Sequence, residues 1–242
     1  MNDEKHIMKK TTLLILISIM FYCSYGQTAL DCYLQGKNKL NSNDYQEALT
    51  LLNKAVELEP KGAFYHYYRG CAKFNLKDYN GAITDFDIAI EQVPKDAQAY
   101  SYRGKAKFQL LNYIGAITDY TKAIEIEPEN TGYYADRANA KYSLEDYRGA
   151  ITDLNKAIGL DPKKANYYYN RGDAKFQIKD YKGTIEDCNK AIQIDPKDSW
   201  SYYNRGLAKD ALKDINGACL DWSKAGELGY ERAYDLIKNN CK

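Results

Sequence analysis

Few residues of this 242-residue chain have the types and spacing that catalysis or metal binding requires. There are only two histidines, His6 and His66. Residues 214–217 look like part of a calcium loop, but in that register the first and twelfth ligands would be Leu212 and Ser223, and neither is a carboxylate. The chain has no CxxC, HExxH or glycine-rich phosphate loop. The sequence therefore predicts no metal site and no cofactor, and we expect a protein that is not an enzyme.

One charged pattern recurs along the chain. An arginine is followed sixteen residues later by an aspartate, at intervals of 34 residues: Arg69 and Asp85, Arg103 and Asp119, Arg137 and Asp153, Arg171 and Asp187, and Arg205 and Asp221. The equivalent N-terminal positions hold Gln35 and Leu51, so both partners are lost together. We interpret the pairs as structural ion pairs between the two helices of a hairpin, partly exposed and worth about 1 kcal/mol or less each. Contact of the arginines and aspartates with a charged ligand is the alternative.

The elements that would position these pairs are helical hairpins with the same period. All five prolines lie 34 residues apart, at Pro60, Pro94, Pro128, Pro162 and Pro196. Six uninterrupted blocks, whose positions are numbered 1 to 34 below, begin at Ala29, Ala63, Ala97, Thr131, Ala165 and Ser199. Asp or Asn at position 16 can cap a second helix, and the apolar residues of that helix recur with helical spacing. The pattern predicts twelve helices and a short capping helix near residues 231–239.

Small residues also recur, with Gly or Ala at position 8 and Ala at position 27 of all six blocks. This period and this alternation of small and large residues resemble the tetratricopeptide repeat (TPR) family over residues 29–232. The resemblance implies an all-α fold, a right-handed α-solenoid of six 34-residue helix-turn-helix repeats (29–62, 63–96, 97–130, 131–164, 165–198 and 199–232) with a cap at 231–242. One departure is Lys at position 11 of every repeat, where the family usually has Tyr.

The resemblance also implies a concave groove, lined by positions 2, 5, 9 and 12 of each first helix. The candidate partner-binding residues are Phe64, Tyr67, Phe74, Lys105, Phe108, Asn139, Tyr142, Tyr169, Asp173, Phe176, Trp200 and Tyr203. Rows of exposed rings are typical of surfaces that contact peptides or proteins. Packing between helices is the alternative for the rings at position 12.

The cysteines suggest one disulfide. A hairpin centred on Tyr230 places Cys219 and Cys241 opposite each other, because both lie eleven residues away. We predict that this pair ties the C-terminal cap to the last repeat. Cys32 and Cys71 would be offset by about 7 Å along adjacent helices, which disfavours a bond. Cys188 stands among large packing residues and is expected to be buried.

The N-terminus has the layout of a secretory signal peptide. Lys9 and Lys10 precede an apolar run at residues 13–22, and Ser24 and Gly26 are small residues at the −3 and −1 positions of a cut before Gln27. We therefore predict a signal peptide at 1–26 and a solenoid at 27–242, exported to the periplasm or the extracellular space, with no membrane span in the mature form. Lipid attachment at Cys23, an uncleaved anchor and no export at all are the alternatives.

Charge narrows the class of partner. The whole chain carries a net charge of +1, and the basic footprint of a nucleic-acid binder is absent. We expect an exported, non-enzymatic scaffold that binds a peptide or protein segment in the aromatic groove. An accessory protein of an envelope glycan or peptidoglycan system, with rings stacking on sugars, is the alternative.

Overall fold

The computed structural model describes residues 28–241, so the predicted signal peptide and Cys23 lie outside the described residues. Within that range the chain forms thirteen α-helices and no strand, which confirms the all-α prediction. The helices are α1 (Ala29–Asn41), α2 (Tyr45–Leu58), α3 (Ala63–Asn75), α4 (Tyr79–Gln92), α5 (Ala97–Gln109), α6 (Tyr113–Ile126), α7 (Thr131–Ser143), α8 (Tyr147–Leu160), α9 (Ala165–Gln177), α10 (Tyr181–Ile194), α11 (Ser199–Ala211), α12 (Ile215–Glu227) and α13 (Arg232–Asn240).

The described residues form two compact units, 28–78 and 79–241. In the first unit, α1 packs on α2 and α2 on α3. In the second unit, α5 and α6, α7 and α8, α9 and α10, and α11 and α12 form hairpins. Each second helix also packs on the first helix of the next repeat, and α12 packs on α13. None of the helices within residues 28–241 combines the length and the apolar character needed to cross a bilayer.

Side-chain caps start most of these helices where the sequence predicts. Thr28 and Asp31 form a reciprocal capping box on α1. At position 16, the carboxylate or amide oxygens of Asp44, Asn112, Asp146, Asp180 and Asp214 accept from a backbone N–H three residues later at 2.9–3.4 Å. Each cap satisfies a backbone donor that has no partner inside its helix.

The turn inside each repeat contains a residue in the left-handed backbone conformation, which the sequence does not predict. Position 15 has φ between 61° and 70° in all six repeats, at Asn43, Lys77, Leu111, Glu145, Lys179 and Lys213. The backbone N–H of position 16 then donates to the carbonyl of position 11 at 2.9 Å. This bond closes the first helix as in a Schellman motif, so position 16 ends one helix through its backbone and starts the next through its side chain.

The core of each repeat depends on a small residue facing a large one. A Cβ added to Gly104 would lie 2.9 Å from the Tyr120 ring, and one added to Gly206 would lie 2.5 Å from Trp222. Glycine at position 8 therefore leaves room for a ring at position 24. The fourth repeat has Ala138 and the smaller Leu154 at these two positions, both almost fully buried.

The C-terminal helix covers the last hairpin. Ala233 is fully buried in a cluster with Trp222 and Ala225, and Leu236 and Ile237 pack against it. Cys219 and Cys241 form a disulfide with their Cα atoms 5.9 Å apart. Cys32, Cys71 and Cys188 are not disulfide-bonded and are buried. The disulfide therefore joins the end of α13 to α12.

Candidate functional site

Four of the arginine–aspartate pairs lie entirely in the second unit, and all four are in bidentate contact. Arg137 Nε and Nη2 donate to the two carboxylate oxygens of Asp153 at 2.9 and 2.7 Å, and the other three pairs repeat this geometry. Asp153 is only 3% exposed. The expectation of partly exposed pairs was therefore wrong for the aspartate, because its carboxylate on α8 is covered by the Arg137 and Lys141 side chains of α7.

The lysine at position 11 is a second cation on the same carboxylate. Lys107, Lys141, Lys175 and Lys209 lie 2.7–2.8 Å from the aspartates at position 23 of their own repeats. In the first repeat, where Leu51 replaces the aspartate, Lys39 instead contacts Asp44 and Glu47. In the third to sixth repeats, the departure from the family pattern thus accompanies a buried carboxylate between two cations.

Each arginine also reaches the preceding repeat. The Nη1 atoms of Arg103, Arg137, Arg171 and Arg205 donate to Asp87, Thr121, Asn155 and Asn189 at 2.6–3.0 Å. All four acceptors stand at position 25. Because the guanidinium groups are bonded within and between repeats, this geometry favours a structural role over contact with a charged ligand.

In the remaining pair, Arg69 belongs to the first unit and Asp85 to the second. Arg69 Nη1 donates to Asn53 Oδ1 at 3.3 Å, and Asp85 is fully buried. His66 is also buried, and its Nε2 lies 2.8 Å from the Pro60 carbonyl oxygen. The corresponding Tyr134 hydroxyl donates to the Pro128 carbonyl at 3.1 Å, so position 4 ties the first helix to the turn before it.

Five of the predicted groove residues meet at one cavity in the second unit. The cavity has a volume of about 280 Å³, and its lining includes Phe108, Asn139, Tyr142, Tyr169 and Asp173. The lining also includes Ala138, Ala150 and Leu154 from the hairpin of α7 and α8, Ser143 at the end of α7, and Asn170 from α9. In the fourth repeat this opening lies beside Leu154, which is smaller than the rings that Tyr120 and Trp222 place at position 24.

Polar groups converge on the same cavity. Asn170 donates to Asn139 at 3.4 Å, and Asn204 donates to Asp173 at 3.5 Å. Gln177 donates to the Tyr142 hydroxyl at 3.1 Å. Burial raises the pKa of Tyr142, and its hydrogen bond with Asp173 raises that pKa further. The lining thus combines rings with hydrogen-bonding amides and one carboxylate.

The rings at position 12 face two ways. Phe108, Tyr142 and Phe176 pack edge-on against the tyrosines at position 17 of their own repeats, with ring centroids 5.1–5.4 Å apart. Phe108 and Tyr142 nevertheless line the cavity. These two rings therefore pack within their own repeats and also line the cavity. Phe74 is half-buried in the first unit.

Three predicted rings form a second aromatic group near the C-terminal cap. Trp200 lies 6.3 Å from Tyr169 and 4.5 Å from Tyr230 between ring centroids. Tyr203 lies 4.6 Å from Tyr230. Since Tyr169 also lines the cavity, the rings continue from the cavity to the last repeat, with Trp200 48% exposed.

Two predicted site residues differ from expectation in their surroundings. Tyr67 is buried and packs edge-on against Tyr68 with centroids 5.0 Å apart, so its assignment to an open groove was wrong. Lys105 is not a free cation, because its Nζ lies 3.4 Å from Asp136 in a neighbouring cavity of about 290 Å³. Burial raises the pKa of Asp136, and Lys105 opposes that shift. Phe64 is exposed in the first unit.

Position 6 is a row of contacts that the sequence reasoning missed. Position 9 of one repeat contacts position 6 of the next in three consecutive pairs: Lys105 with Asp136, Asn139 with Asn170, and Asp173 with Asn204. In the first unit, Lys37 lies over the Tyr68 ring at 5.2 Å. The sequence could have indicated this row, because positions 6 and 9 are three residues apart and lie on one face of the first helix.

Family models match most of the described chain. A TPR repeat model matches residues 138–179, and tetratricopeptide repeat models match 32–61, 67–131, 165–198 and 188–219. No curated protein sequence matches this chain.

Several solved structures share the fold at low sequence identity. MamA from Desulfovibrio magneticus is 23% identical, with a TM-score of 0.67 over 72% of this chain and 98% of that one. The pilF protein of Pseudomonas aeruginosa is 16% identical, with a TM-score of 0.74 over 87% and 97%. YrrB, described as a TPR protein with an unusual peptide-binding site, is 18% identical, with a TM-score of 0.66 over 77% and 97%. At these identities the similarity shows the fold alone.

Proposed function

The chain belongs to the tetratricopeptide repeat family, and on that premise we propose that it is a non-enzymatic scaffold that binds an extended peptide or protein segment. The binding surface is the first-helix face of the second unit, from the third repeat to the sixth. The segment would lie across the cavity beside Tyr142 and continue towards Trp200.

The cavity lined by Phe108, Tyr142, Tyr169 and Asp173 carries the proposal. Binding sites are concave, mostly apolar and equipped with a few convergent polar groups, and this one has rings, amides and a carboxylate within about 280 Å³. Phe108 and Tyr142 pack against core clusters, so they would lose little side-chain entropy on binding. The peptide-binding site ascribed to YrrB supports the same use of this fold.

We also propose that the mature protein acts outside the cytoplasm. The charged and apolar segments before Gln27 have the order of a signal peptide. The Cys219–Cys241 disulfide supports this proposal, because such bonds persist in oxidising compartments. Fractionation of cells that express the full chain tests it: a mature product beginning at Gln27 outside the cytoplasm is expected, and an uncleaved cytoplasmic product would contradict it.

Peptide selection tests the binding function. We expect the purified chain to enrich a subset of displayed random 12-residue peptides, and the double variant Phe108→Ala, Tyr142→Ala to bind the best synthetic peptide at least 30-fold more weakly. That loss corresponds to about 2 kcal/mol, the scale of a ring at a hot spot. Circular dichroism melts verify that the variant is folded.

Ile114→Ala is the matched control, because Ile114 is 70% exposed on α6 and does not line the cavity. Its affinity should equal that of the unaltered chain. Retained affinity in the folded double variant would contradict the proposed surface. Binding to a glycan array without any peptide enrichment would favour the alternative function in an envelope glycan system.

A further inference from the structure

Asp173 lines the cavity without a cationic partner, unlike Asp136 at the neighbouring cavity and four of the buried aspartates at position 23. Its carboxylate receives hydrogen bonds from the Asn204 amide at 3.5 Å and from the Tyr142 hydroxyl. Both donors are neutral. Within residues 28–241, no lysine or arginine nitrogen lies within 4 Å of this carboxylate, whereas Asp119, Asp153, Asp187 and Asp221 each have an arginine and a lysine.

At the neighbouring cavity, a comparable carboxylate does have a cationic partner. Asp136 is also half-buried at a first-helix cavity, and Lys105 of the preceding repeat supplies its cation at 3.4 Å. Asp173 stands at position 9, as Lys105 does, and the residue that contacts it from position 6 of the next repeat is the neutral Asn204. The other pair of this row at the cavity, Asn139 and Asn170, also carries no charge. The charge that complements Asp173 is therefore missing from the repeat array itself.

The walls around Asp173 suit a cation. The rings of Phe108, Tyr142 and Tyr169 line the same cavity, and aromatic faces attract ammonium and guanidinium groups, most strongly where water is excluded. An ionised carboxylate has about four acceptor sites, so the two neutral donors leave it with free acceptor capacity. The volume of about 280 Å³ is below the usual range for drug-sized ligands, about 300–1,000 Å³, and suits a single side chain.

We propose that this cavity binds a lysine or arginine side chain of the peptide partner, with Asp173 as its counter-ion and the rings of Phe108, Tyr142 and Tyr169 as its walls. The inference rests on the proposed function and specifies its ligand as a segment with a basic residue at a fixed position. Burial raises the pKa of Asp173. The carboxylate must be ionised to bind the cation. As the pH is lowered, binding should therefore begin to weaken at a higher pH than it would at an ordinary exposed carboxylate.

A comparison of selected peptides tests the proposal. Random displayed 12-residue peptides are enriched on the full chain, on Asp173→Asn and on Asp136→Asn. We expect the full chain and Asp136→Asn to select Lys or Arg at one fixed position, and Asp173→Asn to lose that preference. For the best synthetic peptide, replacing its basic residue with Gln should lower affinity at least tenfold on the full chain and less than twofold on Asp173→Asn. The affinity of the original peptide should also fall as the pH is lowered, with Asp173→Asn much less sensitive.

The outcomes separate this proposal from the function on which it rests. Enriched peptides without a fixed basic residue would overturn the cation site and leave a peptide scaffold. The same would follow from an equal effect of the Gln replacement on both proteins. Enrichment of no peptide by any of the three proteins would overturn both. Asp136→Asn is the matched control because Asp136 is a half-buried carboxylate at the adjacent cavity, already paired with Lys105.

Discussion

The aspartates at position 23 are buried carboxylates whose partners are built into the repeat. Asp153 receives two hydrogen bonds from Arg137 and an ion pair from Lys141. Desolvation of such a group is expensive, and removal of one partner leaves part of that cost uncompensated. The pair should therefore behave differently from an exposed ion pair, where solvent screens the attraction.

Truncation of the arginine measures this difference. Arg137→Ala should lower the free energy of unfolding by about 3 kcal/mol, the lower end for breaking a buried pair, because Lys141 still contacts Asp153. Urea denaturation provides the measurement. Lys122→Ala is the control, since its ion pair with Glu125 is exposed, and we expect no measurable change. A stable Arg137→Ala protein that has lost peptide binding would instead indicate a ligand role.

At Asp173, in contrast, removal of the charge should raise the stability of the protein. Its pKa is raised in the folded protein by burial, so the folded state holds the proton more tightly than the unfolded state. Ionisation of this carboxylate therefore lowers the free energy of unfolding. The loss is absent below the pKa of the unfolded state and is complete above the raised pKa of the folded state. We expect Asp173→Asn to be more stable than the original chain at pH 7, with the advantage shrinking as the pH is lowered towards 4. Melting temperatures at a series of pH values test this, and an advantage that grows at acid pH would contradict it.

Single-residue features differ in how far the sequence predicts them. The partnership of Arg137 and Asp153 follows from a sixteen-residue spacing in a hairpin. The burial of Asp153 does not follow from that spacing, because it depends on how closely the two helices pack and on the contact between Lys141 and the carboxylate. Tyr67 shows the same limit: its periodic position predicts a groove, and its burial depends on neighbouring rings such as Tyr68.

The two helices of a repeat pack through side chains of complementary size at positions 8 and 24. Trp222 is fully buried against Gly206, whereas Gly172 faces the smaller Cys188, whose sulfur would lie 3.6 Å from an added Cβ. Interiors are closely packed, so an added methyl group in a filled site forces a displacement. The same substitution should therefore have different effects in the two repeats.

Two glycine-to-alanine variants test this fit. Gly206→Ala should lower stability by about 2 kcal/mol, because its Cβ would meet a rigid indole ring at 2.5 Å. Gly172→Ala should range from neutral to about 1 kcal/mol more stable, because alanine favours the helix and its nearest contact, Asp187 Cβ, is at 3.3 Å. Chemical denaturation of both variants provides the comparison. Equal destabilisation would show that position 24 does not set the available space.

The helix boundaries were largely predictable, and the turns were not. Asp or Asn at position 16 marks the start of each second helix, as the capping bonds show. The left-handed residue just before it was hidden, because Leu111 and Glu145 are residues that rarely adopt that conformation. The hydrogen bond from position 16 to position 11 closes the turn without a glycine.

The two ends of the molecule are stabilised differently. The first repeat begins with the capping box of Thr28 and Asp31. The last repeat ends with α13, whose apolar residues and disulfide seal the cluster around Trp222. In arrays of repeats, stability is roughly a sum of repeat and neighbour terms, and terminal units need a cap. The disulfide should therefore matter most for the last hairpin.

Removal of the disulfide tests this role. The double variant Cys219→Ser, Cys241→Ser should lose about 3 kcal/mol, the loop-entropy value for a closed loop of this size. Hydrogen exchange should accelerate first in α13, since chain ends open before cores. A reductant should lower the melting temperature of the original chain and leave that of the variant unchanged. A melting temperature unaffected by reductant would contradict the prediction.

For the whole molecule, the period of 34 residues was enough to predict the number and order of helices in residues 28–241. It could not locate the cavity. That feature arises beside Leu154, where Asn139 and Asp173 stand at position 9 and no other repeat has either residue at that position. Only their arrangement across two repeats shows it. If the proposed function holds, partner specificity depends on these departures from the period.

The bond from each arginine to position 25 of the preceding repeat has a consequence for how the gene could evolve. From the second repeat to the sixth, every junction uses this connection, and the acceptor varies among Asn53, Asp87, Thr121, Asn155 and Asn189. A duplication or deletion of 34 codons between the second and the sixth repeat would leave each arginine facing an acceptor at position 25. A change of any other length would shift donors away from acceptors. The coding sequence can therefore lengthen or shorten by whole modules, with the Thr28 and Cys241 ends retained.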